Sequence, residues 1–470
     1  MKPHTLRLLC ASGLLTVLCH SAAAQESLMD VYQRALQNDP AIREAEARFL
    51  ANSEVRPQAR SQLLPSLSFG MSTQGSFNED PNPPTNPITG ENEPGFGGTE
   101  RESDTTGWQL NINQSVFDWS QILSLKQSDK RVAQAETEYE SQRQQLLLRV
   151  AEAYFNVLAA EDTLDAQRVA REAFERQLEQ AQRRFEVGLI AITDVQETQA
   201  GFDTAVASEI EGERVLATER ERLREIIGDY VAELSGPTDD LPLVTPDPAD
   251  PDQWVRVALD QNLALASARI AADIARDEIS IQRASRLPTL SFSSGYRSSR
   301  NEGTQLTERF PEADLRRSSL SESEGYNWSL NLQVPIFTGG LNSSRIQQSV
   351  YNHRAEVQAT ERVARETERM TRDAYLGVVS SISRVRALRQ AVESAETALR
   401  ATEAGYEVGT RTIVEVQTSL EQLRRAQTDY ARARYDYILN TLRLKQAAGT
   451  LTVSDVEQVD GWLEEAGAGS

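Results

Sequence analysis

An internal repeat at an offset of about 220 residues limits the folds available to this chain. Three pairs of segments come into register: LLPSLSF (63–69) with RLPTLSF (286–292), QSVFDWSQ (114–121) with QVPIFTGG (333–340), and FEVGLIAITDVQ (185–196) with YEVGTRTIVEVQ (406–417). A repeat of this length predicts two copies of one structural plan. We therefore expect a fold with an internal two-fold sequence repeat.

Each copy is predicted to contain a helix, two strands, a long helix, a hairpin turn and a return helix. The first copy spans 25–236 and the second spans 252–450, and an acidic C-terminal tail follows over 451–470. The segment between the copies, 237–251, carries five prolines. Because proline disrupts both helices and central strands, this segment is predicted to be a stiff, extended linker.

Four segments, two in each copy, show the alternation of a β-strand: 63–77, 105–117, 288–300 and 325–337. Apolar and polar residues take turns along them, as in GWQLNINQSVF, where Gln114 is the exception. A period of two gives a sheet one apolar face and one polar face. Both a half-buried sheet in a soluble domain and the wall of a transmembrane β-barrel would produce this pattern.

Three observations favour the barrel. No segment after residue 24 reaches the ~18 apolar residues of a membrane helix. Tyrosine and tryptophan lie near the strand starts, as interfacial aromatic residues do, and the connecting segments 78–104 and 301–324 are long and polar. Because a membrane barrel needs at least about eight strands to leave no open edge, the barrel must be shared between chains. Two copies would supply eight strands and three would supply twelve, and this pattern leaves the number open.

Two long helices are predicted beside the strands. Proline is absent from Asp118 to Val187 and from Thr338 to Val408. At 1.5 Å per residue, each segment could form a helix about 100 Å long. Apolar residues mostly recur every three or four positions, which is typical of coiled-coil packing. The expected fold class is therefore mostly α with β, a shared membrane barrel continued by a long coiled-coil α-helical barrel.

The N-terminus and the residue inventory indicate the compartment and argue against catalysis. Residues 1–24 have a basic start, a short apolar run and an Ala-x-Ala site, the features of a secretory signal peptide. Both cysteines, Cys10 and Cys19, lie within it, and the mature chain keeps a single histidine, His353. With a net charge of −21, a nucleic-acid partner is also disfavoured. We expect no enzyme, no cofactor and no metal site.

The two hairpin segments carry helix-end signals. Gly188 and Gly409 follow the long helices, where glycine most easily adopts the left-handed conformation. Thr193-x-x-Gln196 and Thr412-x-x-Glu415 both have the spacing of a capping box at the start of the return helix.

At these residues the chain resembles the TolC family of outer-membrane channels. The resemblance is carried by YEVGTRTIVEVQ, RRFEVGLIAITDVQ, VFDWSQ, AEAYFNVLAAEDTL and PIFTGGLNSSRIQQSVYN, and covers the whole mature chain. It implies a homotrimer with a twelve-stranded barrel in the outer membrane and a helical barrel in the periplasm. It also implies an exit duct for tripartite drug efflux or type I protein secretion, reached by an inner-membrane pump of RND or ABC type through a periplasmic adaptor. The alternative is a structural coiled-coil surface rod or adhesin with a barrel anchor.

The resemblance also implies a gate at the periplasmic hairpins. Tyr406 and Arg411 of one hairpin would reach Thr193 and Asp194 of the other, within or between protomers. Glu415 would contribute to a ring of carboxylates in the narrowed lumen. Where such channels tend to carry a second acidic ring, this chain has Thr418, which weakens the case for strong cation selectivity.

Overall fold

The structure is a computed structural model that describes residues 25–85, 88–92, 94–231, 233–238, 241–309, 311 and 313–463. The predicted signal peptide lies outside the described residues, as does the end of the predicted tail. Within the described residues, no helix has an apolar stretch long enough to cross a membrane.

The described elements follow the two-copy plan. The first copy contains α1 (Leu28–Asn38), α2 (Pro40–Ser53), α3 (Val55–Ser61), β1 (Ser66–Asp80), β2 (Phe96–Phe117), α4 (Trp119–Glu186) and α5 (Ile192–Ile227). The second contains α6 (Pro251–Gln261), α7 (Leu263–Ala284), β3 (Thr289–Arg309), β4 (Leu315–Gln333), α8 (Leu341–Glu407) and α9 (Ile413–Ala448). A short helix, α10 (Val453–Asp460), lies within the predicted tail. It begins at a capping box between Thr452 and Asp455.

The four strands form one antiparallel sheet in the order β1-β2-β3-β4. The alternation predicted from the sequence is confirmed. Apolar residues pair with apolar residues of the neighbouring strand, as in Leu67↔Ile112 and Phe292↔Leu330, and therefore lie on one face of the sheet. On the apolar face, the ring of Trp108 lies 6.2 Å from that of Phe69 and 5.3 Å from that of Tyr296.

The strands are longer than the sequence pattern predicted. The segments 78–104 and 301–324 were expected to be loops, yet β2 begins at Phe96, β3 continues to Arg309 and β4 begins at Leu315. These extensions carry serine, threonine and charged residues, so no apolar alternation marks them as strands. Backbone ladder hydrogen bonds and contacts such as Thr99 Oγ1 to Thr307 Oγ1 at 3.5 Å hold them together instead.

The described chain separates into two compact units, and each is described by itself. One contains Ala45–Glu140 and Leu263–Glu366, including the sheet. The other contains 25–44, Ser141–Asn262 and 367–463. In this second unit the buried core includes Tyr154 and Phe155, whose rings meet edge to face at 5.3 Å, and Tyr435, which stacks on Phe155 at 5.8 Å.

The inter-repeat linker is attached to the core of this second unit by buried tyrosines. Tyr437 accepts a hydrogen bond from the backbone N–H of Val244 at 2.9 Å, and the Tyr154 hydroxyl lies 2.7 Å from the carbonyl of Ser235. Two isolated β-bridges contribute further contacts: one pairs Glu26 with Leu234, and the other pairs Pro237 with Leu463. Both chain ends of the described structure therefore pair with the linker or with the residues just before it.

We predict that Gly449→Ala destabilises this unit by about 2 kcal/mol, because a residue with a Cβ is strained at a left-handed helix end. Gly449 ends α9 with φ 75°, and an added Cβ would lie 2.3 Å from the carbonyl oxygen of Gln261. The midpoint of thermal unfolding by circular dichroism measures the effect. Gly236→Ala is the matched control, because no atom lies within 4 Å of its added Cβ. Equal midpoints for the two variants would contradict the prediction.

Candidate functional site at the helical hairpins

The first hairpin joins α4 to α5. Gly188 has φ 76°, and its N–H donates to the carbonyl of Phe185 at 2.8 Å, while the N–H of Leu189 donates to Arg184 at 2.9 Å. These bonds satisfy carbonyl groups left free at the end of α4. Val187 and Leu189 stay exposed, at 69% and 73%. The turn therefore presents apolar side chains to solvent.

The second hairpin joins α8 to α9. Gly409 has φ 74°, and the N–H of Thr410 donates to the carbonyl of Gly405 at 2.8 Å. Thr412 then caps α9 in a complete capping box: its hydroxyl accepts from the N–H of Glu415 at 3.3 Å, and its own N–H donates to the Glu415 carboxylate at 2.8 Å. The predicted capping box at Thr412 and Glu415 is confirmed.

The predicted capping box at Thr193 and Gln196 is wrong. Helix α5 begins at Ile192 with Ala191 as its N-cap, and no side chain caps it. Thr193 therefore lies inside the first turn, where its hydroxyl cannot act as an N-cap. The repeat itself contained the signal, since its alignment places Ala191 opposite Thr412.

The two hairpins pack against each other within one unit. Phe174 of α4, Leu399 of α8, and Ile413 and Val416 of α9 belong to one buried apolar cluster. At its edge the guanidinium of Arg184 lies over the ring of Tyr406, 5.0 Å from its centroid. Sequence reasoning missed Arg184, because a cation–π contact between the hairpins leaves no pattern along the chain.

Within one chain, the residues of the proposed gate do not make the contacts that were expected between the two hairpins. The Arg411 guanidinium donates to the Glu415 carboxylate at 2.5 Å, one helical turn further along the chain. Among the described residues, neither Tyr406 nor Arg411 makes a hydrogen bond or ion pair with Thr193 or Asp194. In the single chain, Arg411 therefore forms its ion pair with Glu415 of its own hairpin.

The Glu415 carboxylate accepts hydrogen bonds from both the Thr412 backbone and the Arg411 guanidinium. The hydrogen bond from the Thr412 backbone N–H, followed by that from the Arg411 guanidinium, lowers the pKa of Glu415 below its ordinary value. Both interactions favour the ionised carboxylate. The same side chain therefore caps α9 and neutralises Arg411.

The sequence that forms these helices, strands and hairpins matches a known protein family. The profile of the family described as "Outer membrane efflux protein" matches residues 31–229 and 254–450, one segment in each repeat. The chain belongs to this family. Outer membrane protein TolC of Vibrio cholerae serotype O1 is 36% identical over 447 residues, covering 95% of this chain and 96% of that protein.

Two further comparisons agree with this assignment. The alkaline protease secretion protein AprF of Pseudomonas aeruginosa is 29% identical, with 95% of this chain and 89% of that protein covered. The solved Campylobacter jejuni CmeC outer membrane channel has a TM-score of 0.69 at 15% identity, covering 98% of both chains, a likeness that supports the fold. The family resemblance, the fold class and the outer-membrane location expected from the sequence are confirmed. The protein is an outer-membrane exit duct, and its relatives are channel proteins rather than enzymes.

We predict that the start of α9 loses protection from hydrogen exchange in acid. A carboxyl whose pKa is lowered by folding stabilises the fold above its unfolded pKa, and this contribution disappears as pH falls through the lowered folded value. Exchange of peptides covering 406–417, corrected for intrinsic rates, should therefore be constant near neutral pH and severalfold faster once Glu415 is protonated. Glu415→Gln should exchange faster at pH 7 and show no such step. A wild-type step retained in that variant would exclude Glu415 as its cause.

Proposed function

We propose that three copies of this chain form a passive outer-membrane exit duct that serves multidrug efflux, type I protein secretion or both. The duct receives its cargo from an inner-membrane pump of RND or ABC type through a periplasmic adaptor. The observation that carries the proposal is the four-stranded antiparallel sheet with two open edges and one apolar face, attached in sequence to helices of 68 and 67 residues.

The open edges support assembly from several copies. In the order β1-β2-β3-β4, strands β1 and β4 each have one side without a partner strand in the sheet. Unpaired backbone groups are unfavourable in lipid, so a spanning sheet must close on itself. Pairing of β4 with β1 of the next copy would close it, and three copies give twelve strands, enough for an aqueous lumen. This number also agrees with the family resemblance.

The exposed tips of the hairpins support an adaptor as partner. Val187 and Leu189 on the first hairpin and Val408 on the second are exposed at 69%, 73% and 74%. Apolar side chains clustered at an exposed turn are typical of a binding surface. Backbone hydrogen bonds order both turns that carry these side chains, and the capping box at Thr412 adds to them on the second hairpin. A partner helix with apolar side chains would cover them.

We predict that photo-crosslinkers placed at Leu189 and Val408 in intact cells capture a periplasmic adaptor. Ile88, exposed at 92% on the segment between β1 and β2, is the matched control, because the proposed topology places it outside the cell. Adaptor adducts at Ile88, or at none of the three positions, would contradict the proposed docking surface.

The gate is proposed to lie at the same hairpins. In the closed trimer, Arg411 and Tyr406 would contact Thr193 and Asp194 of the same or an adjacent protomer. Arg411 uses one guanidinium nitrogen for Glu415, which leaves further N–H donors for such a contact. Partly exposed pairs contribute about 0–1 kcal/mol each, so three symmetric copies could hold a closed state that an adaptor can reverse.

We predict that Arg411→Ser and Tyr406→Phe each increase the conductance of the reconstituted channel. If three latches together contribute up to about 3 kcal/mol, their loss raises the ratio of open to closed channels by up to about a hundredfold. Planar-bilayer recordings measure this directly. Arg425→Ser, an exposed arginine further along α9, is the control and should conduct like wild type. Wild-type conductance in both hairpin variants would exclude the latch.

Similarity to TolC and AprF supports the proposal that both small molecules and polypeptides pass through the duct. TolC and the alkaline protease secretion protein AprF are both similar to this chain over nearly its whole length. A common duct for small molecules and polypeptides follows if selection occurs mainly at the pump. Glu415 would then face the narrowed lumen in each copy, with its charge partly balanced by Arg411.

A further inference from the structure

Charged residues are distributed unequally between the two faces of the sheet. On the apolar face, beyond the aromatic rings of Trp108 and Tyr296, the same strands carry many carboxylates: Glu79, Glu100, Glu102, Asp104, Glu302, Glu322 and Glu324. Across the paired residues of the polar face, Asp80 is the sole carboxylate, and it is the last residue of β1. In a chain with net charge −21, this separation is unexpected for a random arrangement.

The polar face otherwise consists mainly of uncharged hydrogen-bonding side chains, together with four arginines. Serine, asparagine, glutamine, threonine and glycine fill it, and contacts such as Ser293 Oγ to Ser329 Oγ at 2.7 Å link neighbouring strands. Arg101, Arg297, Arg309 and Arg317 are its cations, and the Arg309 guanidinium lies over the ring of Phe96 on the neighbouring strand, 5.4 Å from its centroid. Four arginines against one aspartate leave the paired residues of this face net positive.

Three of these arginines, Arg101, Arg297 and Arg317, occupy two levels along the strands. Arg101 and Arg317 flank Gln305 in one row across β2, β3 and β4, and the Arg101 guanidinium donates to the Gln305 amide oxygen at 3.3 Å. Arg297 pairs with Gln109 on β2, eight positions from Arg101, which corresponds to about 27 Å along the strand. This separation exceeds the Debye length of about 10 Å at 0.1 M salt, so the rows act as two separate cationic zones.

The arginines on the two faces also differ in their ion pairing. Arg300, on the carboxylate-rich face, pairs with Glu302 at 2.6 Å and with Glu322 at 3.5 Å. No carboxylate among the described residues forms an ion pair with Arg101, Arg297 or Arg317. Arg300 therefore compensates part of the negative charge on the carboxylate-rich face. Arg101, Arg297 and Arg317 have no ion-pair partner among the described residues, so their positive charge remains available to a solute.

We propose that the polar face makes the outer part of the duct selective for anionic cargo, with Arg101, Arg297 and Arg317 as the residues that determine this preference. The inference rests on the proposed function, in which the apolar face contacts lipid and the polar face lines the lumen. Rings of arginine favour anions in pores, and Asp80, the single carboxylate among the paired residues of this face, lies only at the end of β1. Anionic solutes and acidic polypeptides are the class of cargo that this wall favours.

Thiol modification can measure the potential at this wall independently of the periplasmic gate. Both native cysteines lie in residues 1–24, so a single introduced cysteine reports on one place in the mature chain. Ser323→Cys lies on the polar face of β4, opposite Ser299 and two residues from Gly325, the partner of Arg297. An anionic and a cationic methanethiosulfonate reagent are added from outside to the reconstituted full-length channel at low salt. The ratio of their rates is then compared with the ratio on a free thiol.

We expect the anionic reagent to be favoured at Ser323→Cys by roughly two- to tenfold over the free thiol. Replacing Arg101, Arg297 and Arg317 together with glutamine should remove this preference, and replacing them with lysine should retain it. Arg300→Gln, on the other face, is the matched control and should leave the ratio unchanged. A ratio equal to that of the free thiol in wild type, or one unaffected by the glutamine substitutions, would overturn the inference.

A second cysteine separates failure of this inference from failure of the proposed function. Leu330→Cys lies on the apolar face of β4, where lipid should protect it from both charged reagents. Protection of this site together with a charge-independent reaction at Ser323→Cys overturns only the anion preference. Reaction at Leu330→Cys with protection at Ser323→Cys would reverse the two faces, and would overturn the duct and the inference together.

Discussion

The unpaired edges of the sheet are the constraint on which the other features of this protein depend. Strands β1 and β4 lie at the two ends of the sheet, and each has backbone groups that no other strand of the sheet can satisfy. In hydrocarbon such groups are unfavourable, so a membrane-spanning sheet of this kind is complete only as part of a closed barrel. Because α4 begins at Trp119, directly after β2, closure of the barrel would also impose its symmetry on the helices that follow.

In the second hairpin, one side chain serves both the local structure of a helix and the proposed gate. Glu415 completes the capping box of α9 and binds Arg411, so the side chain proposed for a lumen ring is also a structural part of its helix. Substituting Glu415 would therefore change the charge in the lumen and the order of the hairpin at once. Arg411 is the more informative position for a gating experiment, because its loss leaves the bonds between Thr412 and Glu415 in place.

The two hairpins differ in how their return helices begin. In the second, a threonine caps the helix, whereas in the first the corresponding residue is alanine and no side-chain cap forms. The start of α5 therefore depends more on packing, through the cluster of Leu178, Ala181 and Val195. A helix start without a side-chain cap is less stable by about 1 kcal/mol in typical proteins. The first hairpin is thus the part of the candidate gate that is less constrained by local bonds.

The repeat, the four alternating strands, the long helices and the glycine turns could all be predicted from the amino-acid sequence, because they depend on local periodicity, on proline and on backbone conformation. The sequence also identified the family, whose profile matches one segment in each repeat. The length of the strands became known from the three-dimensional fold, since the polar extensions of β2, β3 and β4 are held by pairing between strands and have no apolar period. The fold likewise showed that Arg411 binds Glu415, that Arg184 covers Tyr406, and which charges share a face of the sheet, because these depend on distances between side chains and on strand register.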